Sequence, residues 1–340
     1  MNKEGKKIQG LPAFLSVMVF IITAVLIFLI YRGNFTVMAE SRAEKGVFNR
    51  NDEDEMVSEL IGDRSGYLKI PLPDTVEDSD ITVSDDPFKK LIFVRISGVD
   101  EDYYKDNFFS GDMTGIKDVR YGYLDGVSTV ELETEKLRVP VSEYVRGGFF
   151  IKVVSPAEVD DRVVVIDPGH GGDDPGSVVY GIEEKKITEN VALRIKDKLV
   201  SQGAGVYLIS RDDPRFTDEY IAGLADEIDA DILLTLHTVA DANTRTTKGV
   251  SVKANSGIKE KAEILTQMLS EACGQKDLGL SNEGLSGVAE ITASPCIWLK
   301  LGVITNKEEA LKMDSEEYQD KAADTIVKFI NTELGRGENE

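Results

Sequence analysis

The sequence predicts an α/β protein with a mostly parallel central sheet flanked by helices, preceded by a small all-β domain and an N-terminal transmembrane helix. Three observations predict it. From residue 162 onward, apolar runs of strand length alternate with helical stripes. Residues 81–156 hold only short β-type runs separated by turn residues, and residues 11–31 are uncharged and almost wholly apolar. A chain of 340 residues, 41% of them hydrophobic, is long enough for two folded units after any tail.

The apolar run at 11–31 is about the length a helix needs to cross a bilayer core. Lys3, Lys6 and Lys7 precede it, in a cytoplasmic tail of residues 1–10, and they set a single-pass orientation with the C-terminal domains outside the cell membrane. Arg32 weakens the charge asymmetry slightly. A cleavable signal peptide is the competing reading, with small residues near Val37-Met38-Ala39, but the run exceeds a usual signal-peptide core. Either reading exports the rest of the chain.

Residues 32–80 are acidic and polar, with Pro71 and Pro73 near their end, and read as a stalk with little fixed structure. Strands are expected at 91–96, 119–123, 127–134, 137–141 and 149–154, with turns at Asp125-Gly126 and Gly147-Gly148. They form a small sandwich-like domain over 81–156.

The α/β domain is expected over 162–336. Its first strand is Val163-Val164-Val165-Ile166. Ile187, Val191, Ile195 and Leu199 then make a helical stripe that Gly203 ends. Strands at 206–210, 231–237 and 296–304 and helices at 218–228, 258–273 and 316–334 follow.

The formal net charge is −22, from 61 acidic and 39 basic residues, so the overall field repels polyanions and argues against nucleic acid as a partner. Cys273 and Cys296 are too few for a disulfide framework and read as small buried hydrophobes. The chain has only two histidines, His170 and His237.

His170 lies in Asp167-Pro168-Gly169-His170-Gly171-Gly172, a glycine-rich turn directly after the first strand, and His237 ends a later one. Ligand sites of α/β sheets gather at that edge. Glu184 opens the Ile187 helix and faces the same edge if strand and helix pack as one unit; Glu183 beside it is the alternative. Two imidazoles and one carboxylate from three elements match a catalytic zinc site that keeps a fourth position open for water. Bound Zn2+ acidifies such a water and polarises a carbonyl.

The segment from Asp167 to Gly172, Asp174-Pro175-Gly176, the Glu184-Lys185 pair and the His237 strand together resemble the zinc-dependent N-acetylmuramoyl-L-alanine amidases. The resemblance covers roughly half the chain and includes the helix-opening Thr305-Asn306. It implies a zinc hydrolase of α/β fold that cuts the amide between N-acetylmuramic acid and L-alanine, with peptidoglycan as substrate and His170, Glu184 and His237 as zinc ligands. The β domain resembles, by position and strand pattern alone, targeting modules of cell-wall amidases, which implies contact with the wall or a divisome protein.

Two positions depart from the family. Its general-base glutamate lies just before a Leu-Gly pair, where this chain has Lys300 in Leu299-Lys300-Leu301-Gly302, and an ammonium cannot take a proton from water. Ten residues earlier, a frequent arginine is replaced by Glu290. If both lie on neighbouring strands, an ion pair has swapped ends and Glu290 is a substitute base. The helix before the His237 strand has Tyr220, Ile221 and Ala222 where the family usually has an arginine, and Thr238-Val239 stands where the family has Ala-Asn. Three readings follow: an active amidase, a pseudo-amidase that binds metal, peptidoglycan or a partner, and a zinc hydrolase of another amide.

Overall fold

The structure, a computed structural model, describes residues 64–240, 246–281 and 287–334. The apolar run at 11–31 and most of the acidic stretch lie outside these residues; among the described ones, no helix is long and apolar enough to cross a membrane.

The N-terminal module is a sandwich of two antiparallel four-stranded sheets. One has the order β4-β1-β8-β7 and the other β2-β3-β6-β5. The strands are β1 (Leu68–Pro71), β2 (Ile81–Asp86), β3 (Leu91–Ser97), β4 (Ser110–Gly111), β5 (Ile116–Leu124), β6 (Val127–Thr134), β7 (Val139–Val145) and β8 (Gly148–Val154). Alternation decides which side is inward: in β6 every second residue is buried, and Val130 and Leu132 meet Ile70, Ile92, Val94 and Ile151 in one core. The module therefore begins before residue 81. β1 falls inside the expected stalk because Leu68, Ile70 and Leu72 are apolar teeth in an otherwise polar, proline-bearing stretch, and only the opposite sheet gives them something to bury against.

The second domain is built on a six-stranded sheet of order β12-β9-β13-β16-β14-β15, comprising β9 (Val163–Asp167), β12 (Gly205–Leu208), β13 (Ile232–Val239), β14 (Val250–Ala254), β15 (Asp277–Leu280) and β16 (Cys296–Val303). All its pairings are parallel except β14 with β16. A two-stranded ribbon, β10 (Val178–Val179) with β11 (Ile182–Glu183), lies beside it. Helices α1 (Glu184–Ser201), α3 (Lys259–Cys273), α5 (Lys307–Met313) and α6 (Glu316–Glu333) cover one face. The other is covered by α2 (Asp218–Glu227) and the single turn α4 (Val288–Ile291). Ile187, Val191, Ile195 and Leu199 are the buried stripe of α1, each fully enclosed, at about 1.5–3 kcal/mol apiece of transfer energy. Cys273 and Cys296 are free and buried, in keeping with packing roles. Asn306 caps α5 through its side-chain oxygen, which accepts from the Glu308 and Glu309 amides.

The two domains share a boundary. Leu137, between β6 and β7, is buried in the α2-side core of the second domain, and its amide donates to the Glu227 carboxylate. Lys90 pairs with the same Glu227 at 3.2 Å, and Phe88 meets Phe216 edge-on at 5.1 Å.

Candidate metal centre

β9 ends at Asp167 and the chain turns sharply. Gly169, His170 and Gly172 all take positive φ, near 60°, 57° and 54°. For a histidine this is a costly backbone region, and such strain concentrates where a side chain must be aimed. The turn is closed by paired bonds, Gly171 N to Asp174 O at 3.1 Å and Asp174 N to Gly171 O at 2.9 Å. Lys185 ties it to the neighbouring loop, donating to Gly172 O at 3.2 Å and to Asp212 at 2.9 Å.

His170 Nδ1 lies 2.8 Å from the Asp174 carboxylate, and Nε2 faces Glu184 Oε2 at 3.3 Å. Glu184, 3% exposed, opens α1. Its Oε1 accepts from the Thr238 amide at 2.7 Å and lies 3.3 Å from His237 Nδ1, while Oε2 accepts from the Ser177 amide at 3.1 Å. Burial pushes the Glu184 carboxyl up, but the bonds from both histidines and both amides outweigh it and hold it far below the ordinary carboxylate range. The same contact raises His170 to about 9, with Asp174 adding to it against the cost of burial. Glu183, the alternative left open by the sequence, is not among the clustered ligand residues and pairs with Lys186 at 2.9 Å.

His237 sits on β13, its ring edge-on to His170 at 5.0 Å and tilted over Trp298 at 4.8 Å. Two glycines make room for the imidazoles. A Cβ on Gly169 would lie 2.6 Å from His237 Cε1, and one on Gly176 would lie 2.7 Å from His170 Cδ2.

One ligand atom from each of His170, Glu184 and His237 falls within 4.8 Å of the others. These residues fit a zinc ion by donor chemistry: two imidazoles and a carboxylate from separate elements, with the outer nitrogen of His170 already held by a carboxylate, which fixes ring and tautomer.

One supporting residue escapes the sequence reading. Arg211, just after β12, grips the wholly buried Asp167 at 2.8 and 2.7 Å and reaches Asp218 at 2.9 Å. Gly171 lies against it so closely that a Cβ there would approach Arg211 Cβ to 2.4 Å. The available signal was an arginine following one buried strand beside an aspartate ending another.

A family model described as N-acetylmuramoyl-L-alanine amidase matches residues 164–332. A Bacillus subtilis (strain 168) protein, YqiI, described as uncharacterized, is 33% identical over 177 residues, which is 51% of this chain and 85% of that one. The chain belongs to the N-acetylmuramoyl-L-alanine amidase family. The amidase LytC of the same organism is 30% identical over 173 residues, 48% of this chain but only 34% of LytC. A crystal structure of an N-acetylmuramoyl-L-alanine amidase from Clostridium difficile 630 is 28% identical and covers 51% of this chain and 96% of its own, with a TM-score of 0.47.

Within this amidase domain the two departing residues are far from equivalent. Lys300 lies on β16, in register with His237 of β13 on one side and Ser251 of β14 on the other, so its side chain shares the metal-ligand face. Glu290 is not on a strand. It belongs to α4, which packs on α2, and it is exposed because Val288 and Ala289 take the buried positions. Among the described residues it forms no ion pair with Lys300 and is not one of the clustered ligands, so the swapped-pair expectation fails. A short apolar run reads equally as strand or helical turn, and Gly287, at φ 58°, starts the turn.

Proposed function

We propose that the domain is a zinc-dependent peptidoglycan amidase that cuts the amide between N-acetylmuramic acid and L-alanine. The observation that carries this reading is the meeting of His170, Glu184 and His237 at one sheet edge, in a chain of this family. When bound, zinc supplies an acidified water and a polarised carbonyl. The chain's own residues do the rest. Asp174 holds the His170 ring so that Nε2 faces the ligand position, the Thr238 and Ser177 amides fix the Glu184 carboxylate, and Gly169 and Gly176 leave space for both rings. We place the domain outside the cell, tethered through residues 11–31, with the β module contacting the wall or a divisome protein.

Lys300 favours a second reading, a pseudo-amidase that binds metal or peptidoglycan without cutting. The position beside His237 carries an ammonium where a base is needed, and loss of a positioned base removes about 10²- to 10⁴-fold in rate. Digestion of purified peptidoglycan by the zinc-loaded full chain, beside Lys300→Glu, separates the two. Release of stem peptides with free L-alanine amino groups by the parent supports the first. Cutting by Lys300→Glu alone establishes the second, and no cutting by either retires the hydrolase reading.

A further inference from the structure

The sheet face that carries His237 changes character along its strands. Val165, Leu233 and Cys296 form one row across three strands, wholly buried in the core that α2 and α4 cover. The next row is Asp167, Thr235, Trp298 and Lys253, and the one beyond is His237, Lys300 and Ser251. Asp167 is occupied by Arg211, and His237 belongs to the metal cluster. The remaining polar side chains of the two outer rows, on β13, β16 and β14, form a continuous wall beside the ligand position.

That wall is made of donors. Lys253, only 8% exposed, holds its ammonium 5.6 Å over the Trp298 ring. Each lysine carries three N–H groups, so a bond to one neighbour leaves others to give. Trp298 Nε1 and Thr235 Oγ1 are buried with no hydrogen-bond partner among the described residues, and Thr235 is 2% exposed. Native structures rarely leave buried donors unmet, and such a donor calls for a water, an ion or a ligand group to meet it. A ligand that meets an indole N–H, hydroxyls and two ammonium groups offers acceptors and negative charge.

We infer that this wall receives a carboxylate of the substrate, with Lys300 and Lys253 supplying the charge and Trp298 Nε1 a directional donor. On the amidase reading, on which the ligand's identity rests, the group is a free carboxylate of the stem peptide, and a stem amidated at that position is the poorer ligand. Lys300 then acts as a specificity residue at a place where a glutamate would repel that carboxylate.

Trp298 is the only tryptophan in the chain, so its fluorescence reports this wall directly. The full chain, stripped with chelator so that nothing is hydrolysed, is titrated with N-acetylmuramoyl-L-alanyl-D-glutamate and with the corresponding isoglutamine amide. The acid should bind roughly tenfold tighter or better, the size of a charge-assisted hydrogen bond. The preference should fall in Lys300→Met and Lys253→Met and return in Lys300→Arg. Equal affinities, no response to either ligand, or a preference that survives both lysine substitutions would overturn the inference. If the buried Lys253→Met chain fails to fold, the half-buried Lys300 pair of variants decides alone. Digestion by the zinc-loaded parent is scored separately. Cutting with equal affinities leaves the amidase and removes the carboxylate wall, whereas selective binding without cutting leaves the wall and removes the amidase.

Discussion

The two sides of the candidate site are held in opposite ways. On the side of the His170 turn and α1, every ligand has a second partner: Asp174 for His170, and two backbone amides for Glu184. Asp167 beneath is gripped by Arg211. On the β16 side, Trp298 Nε1 and Thr235 Oγ1 have no hydrogen-bond partner among the described residues. A closed network can hold a small, fixed ion whose geometry does not vary. An open set of donors suits a ligand that comes and goes.

The comparison breaks first at its foundation. Arg211→Met leaves Asp167 as a buried carboxylate without its cation, a change that costs about 3–5 kcal/mol. Denaturant unfolding should show a loss of that size, and a loss below about 1 kcal/mol would mean that the strut is dispensable and the ligand side less closed than described.

Asp174→Asn tests the outer partner of His170. Zinc affinity measured by chelator competition should fall about 10- to 100-fold while the fold survives, since Asp174 is exposed. An unchanged affinity would show that the ring is aimed by the turn alone.

Asp226 offers the smallest test, on the opposite side. It accepts from Thr292, Ala293 and Ser294 in the loop that feeds β16, and so it anchors the strand bearing Trp298 and Lys300. Partial burial raises its pKa, but those bonds outweigh burial and hold it below the usual value. A carboxyl depressed by folding stabilises the protein above its unfolded pKa of about 3.9, and that contribution is lost as pH falls through the folded value. Asp226→Asn should therefore cost about 1 kcal/mol at neutral pH. The gap from the parent should narrow below about pH 4; a gap independent of pH would assign the cost to packing.

Legibility follows the same division. The Val163 strand, the Ile187 stripe and the two histidines are readable because period, turn and residue type agree locally. The choice between Glu183 and Glu184 is not, since adjacent carboxylates differ only in which way a helix start faces. β14 escapes notice because both its faces are buried, so Ser251 and Lys253 appear among the valines without a solvent side to explain them. β1 hides in an acidic stretch, and Arg211 makes its sense only once β9 and β12 lie side by side. What is missed is, in each case, a contact between segments far apart in the chain.

The shared boundary at Glu227 has a consequence for motion. One carboxylate serves both the Leu137 amide and the Lys90 ammonium, and Leu137 itself is sealed into the neighbouring core. Separating the modules exposes that leucine and strands the carboxylate, so the sandwich is a handle welded to its blade rather than a hinged one. In hydrogen exchange the Leu137 amide should open together with the amides of α2 rather than with the outer strands of its own sandwich.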